Sequence, residues 1–399
     1  MFRSYHDMPK EAIYLICATI LPSVAYGMFY MNVSYFLVTI QHVTYELMGL
    51  VVTTMGISTF VASILLGVAA DRYGRRKILL AGNVLASLML AVFALTTNPV
   101  SLLVAAAVEG IAEGAVTAST NALLAEKANI SQRNSVFSLY GFAQGIAFGL
   151  GGFSISATVF FEHLGLTTKE SHVLLYLVMA MLSLVSTLIV LKVGEAKSLG
   201  KPRTGIIGYF PRKSKAVLSK YVLTGALLAF GAGMIVPLMT VWFRLQYGVS
   251  DTLSSPILGI SSILIGVTTL FSPPLARRLG LVKTIVVTQA ASTVFMLATP
   301  ISPNFTTACV VYSVRALLMN MASPLEQSMI MGLVAQDERG AASGIAGALW
   351  RLPNALSTFI GAWLMGIGFL AAPFFMASLF YVISILLFSH YFGRTRVPE

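Results

Sequence analysis

Two glutamates inside one apolar stretch are the residues best suited to carry chemistry. Glu109 and Glu113 are four residues apart, so they lie on one face of a helix, and they are the only charges between positions 99 and 124. Carboxyl groups in a low-dielectric setting can exchange protons as water access and nearby charges change. The spacing therefore predicts a proton-carrying site, with Glu113 as the first candidate and Glu109 as the second.

Two arginines occupy comparable depths in other apolar stretches. Arg315 follows Glu109 by 206 residues, and Arg351 precedes a proline within a later stretch. A charge near the middle of a bilayer is costly unless it meets a partner or water. We expect both arginines to bind a polar or anionic part of a solute; a static quartet of two glutamates and two arginines is the alternative.

Further polar and aromatic residues in the apolar stretches are candidates for lining a solute pathway. They are Tyr26, Tyr30, Asn32, Gln144 and Trp242. For each of them, core packing or anchoring at the membrane interface is an equally good interpretation. Glu326 lies nearer the end of its stretch, where an inner-gate or helix-terminus role competes with coupling.

The elements that position these residues are membrane spans. Of the 399 residues, 57% are hydrophobic and 10% are charged, which is too apolar for soluble domains. A helix needs about 20 residues to cross a bilayer, and twelve uncharged or nearly uncharged runs have that length. The predicted spans are 12–38, 47–70, 78–97, 99–124, 135–161, 172–191, 221–243, 257–276, 282–300, 305–331, 341–365 and 372–392. The runs do not alternate as outer-membrane strands would, so the sequence predicts an all-α polytopic protein.

The positive charges follow a topological pattern. The net charge is +11, and 22 of the 26 lysines and arginines lie in the termini and in alternate loops. By the positive-inside rule, these loops and both termini face the cytoplasm of a cell membrane. The excess charge therefore indicates orientation, with some contact to anionic membrane lipid, and it does not indicate a nucleic-acid partner.

A repeat divides the chain into two halves. Shifting the sequence by 206 positions aligns Gly27 with Gly233 and Gly74 with Gly280, without a gap as far as Gly141 and Gly347. The predicted organisation is a six-helix bundle over 1–193, a basic cytoplasmic linker over 194–219 and a second six-helix bundle over 220–399. We expect the two bundles to face each other around a polar pathway.

One loop carries the most specific motif. It reads Gly67-Val-Ala-Ala-Asp71-Arg72-Tyr-Gly74-Arg75-Arg-Lys77 between the second and third spans. This string resembles the signature loop of the major facilitator superfamily. The resemblance implies twelve helices in two pseudo-symmetric bundles, transport by alternating access, and an inner gate that includes Gly67, Asp71, Arg72, Gly74 and Arg75.

Other charges near the spans resemble gate residues of the same superfamily. Glu126 and Arg133 follow the fourth span, and Glu338 and Arg339 follow the tenth. Solvated loop charges worth about 1 kcal/mol or less per pair are the alternative. Arg277 stands where Asp71 stands in the first half, so we expect an asymmetric gate. The stretch 145–152 lacks the proline and spacing found in many antiporters of the superfamily, which weakens an assignment to drug antiport.

Several chemistries lack their sequence signatures. There is no phosphate-binding Gly-Lys-Ser/Thr loop, the five histidines are scattered across loops and termini, and Cys17 and Cys309 lie in separate spans. We therefore expect no enzyme activity, no cofactor and no metal. The predicted function is proton-coupled transport of a small organic solute by a monomer. The alternatives are an uncoupled facilitator of a sugar or organic anion and, less favoured, a transporter-like sensor.

Overall fold

The protein is helical wherever the structure describes it. The computed structural model describes residues 8–128, 133–194, 213–268, 271–335 and 338–393, and every regular element in these ranges is a helix. Eleven helical segments there are long and apolar enough to cross a membrane. The 28-residue helix Arg339–Gly366 corresponds to the predicted eleventh span and brings the long helical segments to twelve. The predicted all-α polytopic architecture is confirmed.

The helices of the first half lie between residues 10 and 190. In chain order they are α1 (Lys10–Tyr35), a π-helical segment (Phe36–Ile40), α2 (Tyr45–Tyr73), α3 (Arg75–Leu95), α4 (Pro99–Lys127), α5 (Arg133–Ser154), α6 (Ala157–His163) and α7 (Thr168–Val190).

The helices of the second half follow the predicted linker, of which 195–212 lie outside the described residues. They are α8 (Lys215–Gly233), a 3₁₀ turn (Val236–Leu238), α9 (Met239–Tyr247), α10 (Asp251–Thr268), α11 (Ser272–Leu279), α12 (Leu281–Ala298), α13 (Phe305–Met321), α14 (Ser323–Leu333), α15 (Arg339–Gly366) and α16 (Ala372–Phe392).

The chain forms two compact units. The first consists of the described residues within Met1–Pro202 and Ser250–Ser262, and the second of those within Arg203–Val249 and Ile263–Glu399. The first part of α10 thus belongs to the first unit although its sequence lies in the second half.

Helix starts repeat between the halves because their capping residues repeat. The side chain of Asn98 accepts hydrogen bonds from the amides of Val100 and Ser101 at the start of α4. Asn304 lies 206 positions later and accepts from the amide of Thr307 at the start of α13. These side chains satisfy amides that have no partner within their helix, and they fix the register of the residues that follow.

Glycine contacts repeat in the same way. A Cβ atom on Gly27 would lie 2.2 Å from the carbonyl oxygen of Phe148, and one on Gly233 would lie 2.0 Å from that of Asn354. Gly27 and Gly233 are 206 residues apart, and so are Phe148 and Asn354. The packing of α1 on α5 therefore has its equivalent in the packing of α8 on α15. The predicted pseudo-symmetry is therefore present in the packing as well as in the sequence.

Several predicted spans differ from the structure in detail. The seventh, predicted as continuous over 221–243, is interrupted by the 3₁₀ turn that contains Pro237. The tenth divides into α13 and α14, and α14 begins with Pro324 in its first turn. Proline has no amide hydrogen and clashes with the preceding turn, which is the physical reason for both interruptions. The eighth begins at Asp251, six residues before the predicted start at 257.

Candidate functional site

Close packing of α2 on α4 brings Glu113 to a hydroxyl group. A Cβ on Gly110 would lie 2.2 Å from the carbonyl oxygen of Met55, and one on Gly114 would lie 2.8 Å from the amide nitrogen of Ser63. Side chains at these two positions would separate the helices. With glycine there, the Oγ1 atom of Thr59 approaches within 3.0 Å of Glu113 Oε2.

The hydroxyl of Thr59 also contacts its own helix. Its Oγ1 atom lies 2.9 Å from the carbonyl oxygen of Met55, which can only accept a hydrogen bond. A hydroxyl carries one hydrogen, so Thr59 cannot donate to Met55 and to Glu113 at the same time. When Thr59 donates to Met55, its contact with Glu113 requires a protonated glutamic acid as the donor. The geometry thus accommodates both protonation states of Glu113, with the hydroxyl reversing its role.

Glu109 lies one turn earlier on α4 and is more deeply buried. It is 7% exposed, and its Oε2 atom has no hydrogen-bond partner among the described residues. An unpaired buried oxygen of this kind is unfavourable, so it is available to accept a hydrogen bond from a further donor. The structure places both predicted glutamates on α4, four residues apart, in the first unit.

Arg315 is buried in the second unit against two tyrosines. The side chain is 3% exposed and donates a hydrogen bond to the hydroxyl of Tyr381. Its guanidinium lies 5.8 Å from the ring centre of Tyr312 and 5.5 Å from that of Tyr381. Within the described residues its Nε atom has no partner, and no carboxylate is among its contacts. The rings of two tyrosines thus stabilise the charge of Arg315, and its Nε hydrogen remains available to a further acceptor.

The remaining solute-site candidates are distributed over both units. In the first unit, the rings of Tyr26 and Tyr30 lie 6.1 Å apart, and each lies within about 6 Å of the ring of Phe148. Gln144 accepts a hydrogen bond from Ser23. In the second unit, Arg351 is half-buried on α15.

Trp242 is a packing residue in its own unit. It is fully buried on α9, and its indole nitrogen donates to the carbonyl oxygen of Leu370 at 3.1 Å. Its ring lies 4.8 Å from that of Phe374. These contacts use both its apolar surface and its single donor.

The predicted gate loop of the first half forms a tight turn, and an ion pair is present next to it. Gly67 lies in α2, and Gly74 has a φ angle of 106°, so it links α2 to α3 in a conformation that favours glycine. Arg75 pairs with Glu126 at 3.1 Å. Asp71, Arg72 and Arg133 were also predicted for the gate, but their side chains lie outside the described part of the structure.

The charges predicted for the second gate make contacts within the second unit. Glu338 accepts hydrogen bonds at 2.9 Å from the backbone amides of Lys213 and Ser214, at the start of α8. The side chain of Arg339 lies outside the described residues. Glu326 accepts a hydrogen bond from Gln289, which joins α14 to α12.

Two polar clusters escaped the sequence prediction. Glu11 pairs with Lys127 at 3.0 Å and accepts from the amide of Gly194 at 2.9 Å. His172 contacts Asp251 at 2.8 Å, and both side chains are at most 2% exposed. The assignment of every histidine to a loop or terminus was wrong for His172, because α7 begins four residues before it. The signal in the sequence was an ionisable residue inside an apolar span. It was missed because the sixth and eighth spans were predicted to begin at 172 and 257, whereas α7 begins at Thr168 and α10 at Asp251.

Comparison with known proteins agrees with this arrangement. A sequence model described as the Major Facilitator Superfamily matches residues 15–280 and 221–399. The chain belongs to the major facilitator superfamily. Membership makes it an integral membrane transporter and not an enzyme, so the predicted fold class and the family resemblance are both confirmed.

Solved structures of other major facilitators share this fold. The crystal structure of the nucleoside transporter NupG matches with a TM-score of 0.75 and 15% identity, covering 96% of this chain and 100% of that one. A POT family peptide transporter matches with a TM-score of 0.77 and 12% identity over 98% of each chain. A bacterial homologue of the human lysosomal transporter Spinster gives 0.76 and 14%, over 99% and 97%. At these identities the likeness concerns the fold.

One curated relative is similar over a short stretch. The multi-drug resistance efflux pump PmrA homolog of Lactococcus lactis subsp. lactis (strain IL1403) is 30% identical over 96 residues. The match covers 24% of this major facilitator and 23% of that relative. The chain therefore aligns with less than a quarter of the length of the efflux pump.

Proposed function

We propose that this transporter moves a small organic solute by alternating access and that Glu113 carries the coupled proton. The observation that carries the proposal is the contact of Glu113 with Thr59. The hydroxyl lies 2.9 Å from a carbonyl oxygen and 3.0 Å from the carboxyl group. It can donate to the ionised acid and accept from the neutral acid, so a proton can leave and return without leaving either partner unsatisfied.

Glu109 is the second member of the proposed coupling site. It shares a helical face with Glu113, and two carboxyl groups at this spacing influence each other's ionisation. In this proposal Glu109 responds to the charge on Glu113. It is the second candidate because its Oε2 atom has no partner in the described structure, whereas Glu113 contacts Thr59.

Arg315 and Arg351 are proposed to bind the solute, with Tyr26, Tyr30 and Gln144 as the further candidates. Asn32 and Trp242 were also predicted for this role, but both are fully buried and already hydrogen-bonded within the protein. Arg315 supports this assignment best, because its unused donor and aromatic surroundings suit a solute with both an acceptor group and a flat ring. Proteins of the same fold include a nucleoside transporter and a peptide transporter. Both kinds of solute are small, organic and polar.

The setting of the transporter is proposed from its charges. With 22 of 26 basic residues in the termini and alternate loops, both termini face the cytoplasm of the cell membrane, and the basic loops contact anionic lipid. Each chain has its own pair of bundles, so the proposed working form is the monomer.

Transport in proteoliposomes tests the coupling. Uptake of labelled uridine, a labelled dipeptide and ethidium is measured with and without an imposed pH gradient, and exchange is measured with equal solute on both sides. For a transported solute, Glu113→Gln is expected to abolish accumulation driven by the gradient and to retain exchange. Glutamine keeps the size and hydrogen-bonding capacity of the protonated acid but cannot release a proton.

Glu46→Gln is the matched control, because Glu46 is an exposed carboxylate at the start of α2. It should accumulate solute as the parent does. Accumulation by Glu113→Gln at the parental level would move the carrier to Glu109. If the single and double glutamine variants all remained driven by the gradient, coupling through α4 would be wrong. A parent that equilibrates the solute but never concentrates it would instead establish an uncoupled facilitator.

A further inference from the structure

A buried polar network joins three helices of the first unit. Asn32 on α1 donates a hydrogen bond to Asp251 at the start of α10, and Tyr176 on α7 donates to Asn32 at 3.0 Å. His172, also on α7, places its Nε2 atom 2.8 Å from the same Asp251 oxygen. The ring of Phe36 stacks on Tyr176 at 4.5 Å and on His172 at 6.1 Å, so the network is enclosed.

The hydrogen bonds fix the number of protons in the network. The Nδ1 atom of His172 lies 2.7 Å from the carbonyl oxygen of Thr168, which only accepts, so Nδ1 carries a hydrogen. The contact between Nε2 and the Asp251 carboxyl group then needs one further proton. This proton sits either on the imidazole, giving an ion pair, or on the acid, giving a neutral pair. Without it, two lone pairs would face each other in a buried site.

The other ionisable groups around His172 do not replace this proton. Tyr176 already uses its hydroxyl hydrogen toward Asn32. Glu162 on α6 acts on His172 electrostatically as a second acid and forms no hydrogen bond with it. Asp251 is therefore the single direct acidic partner of the imidazole within the described residues.

The same network secures one segment of chain. Residues 250–262 lie on α5 through glycine contacts, since a Cβ on Gly152 would lie 2.6 Å from the carbonyl oxygen of Ser255, and one on Gly259 would lie 2.4 Å from that of Gly149. Ser156 donates to the carbonyl oxygen of Thr252 at 3.0 Å. These contacts are unaffected by pH, so Asp251 provides the attachment of this segment that depends on a proton.

We propose that His172 and Asp251 form a second proton-binding site, which fastens residues 250–262 to α1 and α7. The shared proton holds the segment in place. When that proton passes to water, Nε2 becomes an acceptor facing an ionised carboxylate, and the start of α10 separates from α7. The proposal goes beyond the coupling proposed for α4 and uses none of its residues.

Amide hydrogen exchange on the full-length protein in lipid nanodiscs tests the proposal. Exchange of residues 250–262, corrected for the intrinsic pH dependence of exchange, is expected to rise about tenfold between about pH 6 and about pH 9. His172→Gln should remove that rise, because the glutamine amide donates to Asp251 without a titrating proton. Asp251→Ala should give fast exchange at every pH.

His163→Gln is the matched control, since His163 is an exposed histidine at the end of α6. It should keep the parental pH dependence. A corrected exchange rate that is constant in the parent, or that rises equally in His172→Gln, overturns the proposal.

A spectroscopic measurement on the parent protein tests the proposal without relying on variants that could misfold. In protein with ¹⁵N-labelled histidine, the Nε2 signal of His172 should change from a protonated or strongly hydrogen-bonded nitrogen to a free acceptor over the same pH range. An Nε2 signal that stays constant while residues 250–262 loosen would also overturn the proposal.

Discussion

Repeat-equivalent positions on α4 and α13 hold opposite charges in the same scaffold. Glu109 and Arg315 are separated by 206 residues and follow equivalent capping asparagines, Asn98 and Asn304. Glu109 has a carboxyl oxygen without a partner in the described structure, whereas Arg315 donates to Tyr381. The two halves therefore share the position of this residue in its helix but differ in the side chain that occupies it.

The residues around these positions diverged in the same direction. Thr59 and Glu113 in the first unit correspond in sequence to Ile265 and Met319, so apolar residues stand at the positions of the hydroxyl and the carboxyl group. This difference suggests a division of labour. Under the proposed mechanism, the first unit carries the groups that gain and lose protons, and the second carries a permanently charged group that suits solute recognition.

Removing the arginine side chain would break this comparison most directly. For a solute that the parent transports, Arg315→Ala is expected to weaken apparent affinity roughly 10- to 100-fold, since a hydrogen bond to a charged group contributes about 1.5–3 kcal/mol. The concentration dependence of uptake measures the change. Arg244→Ala, at an exposed arginine of α9, should leave it unaltered. Unchanged affinity in Arg315→Ala would make Arg315 a structural residue.

Exchanging a small residue between the units would sharpen the comparison. Gly110 corresponds to Ala316, and a Cβ on Gly110 would lie 2.2 Å from the carbonyl oxygen of Met55. Gly110→Ala is expected to destabilise the protein by about 1–3 kcal/mol, because α2 and α4 must separate. Thermal unfolding measures this effect. A Cβ on Gly225, which also lies inside a helix, meets nothing within 4 Å, so Gly225→Ala should keep or slightly raise the melting temperature through helix propensity. Equal melting temperatures for both variants would contradict the close packing.

The smallest effect is expected at an ion pair that the second unit lacks. Glu11 and Lys127 correspond to Val217 and Leu333, which both pack against an apolar cluster of the second unit. The double variant Glu11→Val with Lys127→Leu should change stability by less than about 1 kcal/mol, as for other partly exposed pairs. A larger loss in thermal unfolding would show that the first unit depends on charges where the second uses apolar packing.

Sequence patterns predicted the local features of this fold well. The length of the apolar runs predicted the spans, and the Gly67–Lys77 motif predicted the superfamily, which a match over most of the chain confirmed. The signals for these features lie within about 30 residues of chain. The breaks at Pro237 and near Pro324 also had a local signal, the proline itself. The uninterrupted apolar sequence around each proline led to the prediction of a continuous span.

The polar contacts between helices were less predictable. His172 and Asp251 are 79 residues apart, and Thr59 and Glu113 are 54 apart. Hydrophobic periodicity indicates that a helix exists but not which neighbour it meets, and that choice depends on packing such as the approach of α2 to Gly110. The assignments of solute and gate residues stay predictions for the same reason.

The first span of each half contains a different kind of irregular helical turn, although the two spans occupy equal lengths of chain. Helix α2 begins at Tyr45 and α10 at Asp251, which are repeat-equivalent, yet the first half reaches this point through the wide π turn and the second through the tight 3₁₀ turn. A wide turn rotates the chain less per residue than an α-helix, and a tight turn rotates it more. Repeat-equivalent residues beyond these turns therefore need not point in the same direction around the helix axis. A chimaera that exchanges only the segment before the turn keeps each side chain facing its original neighbour. A chimaera that also exchanges the turn rotates every residue beyond it.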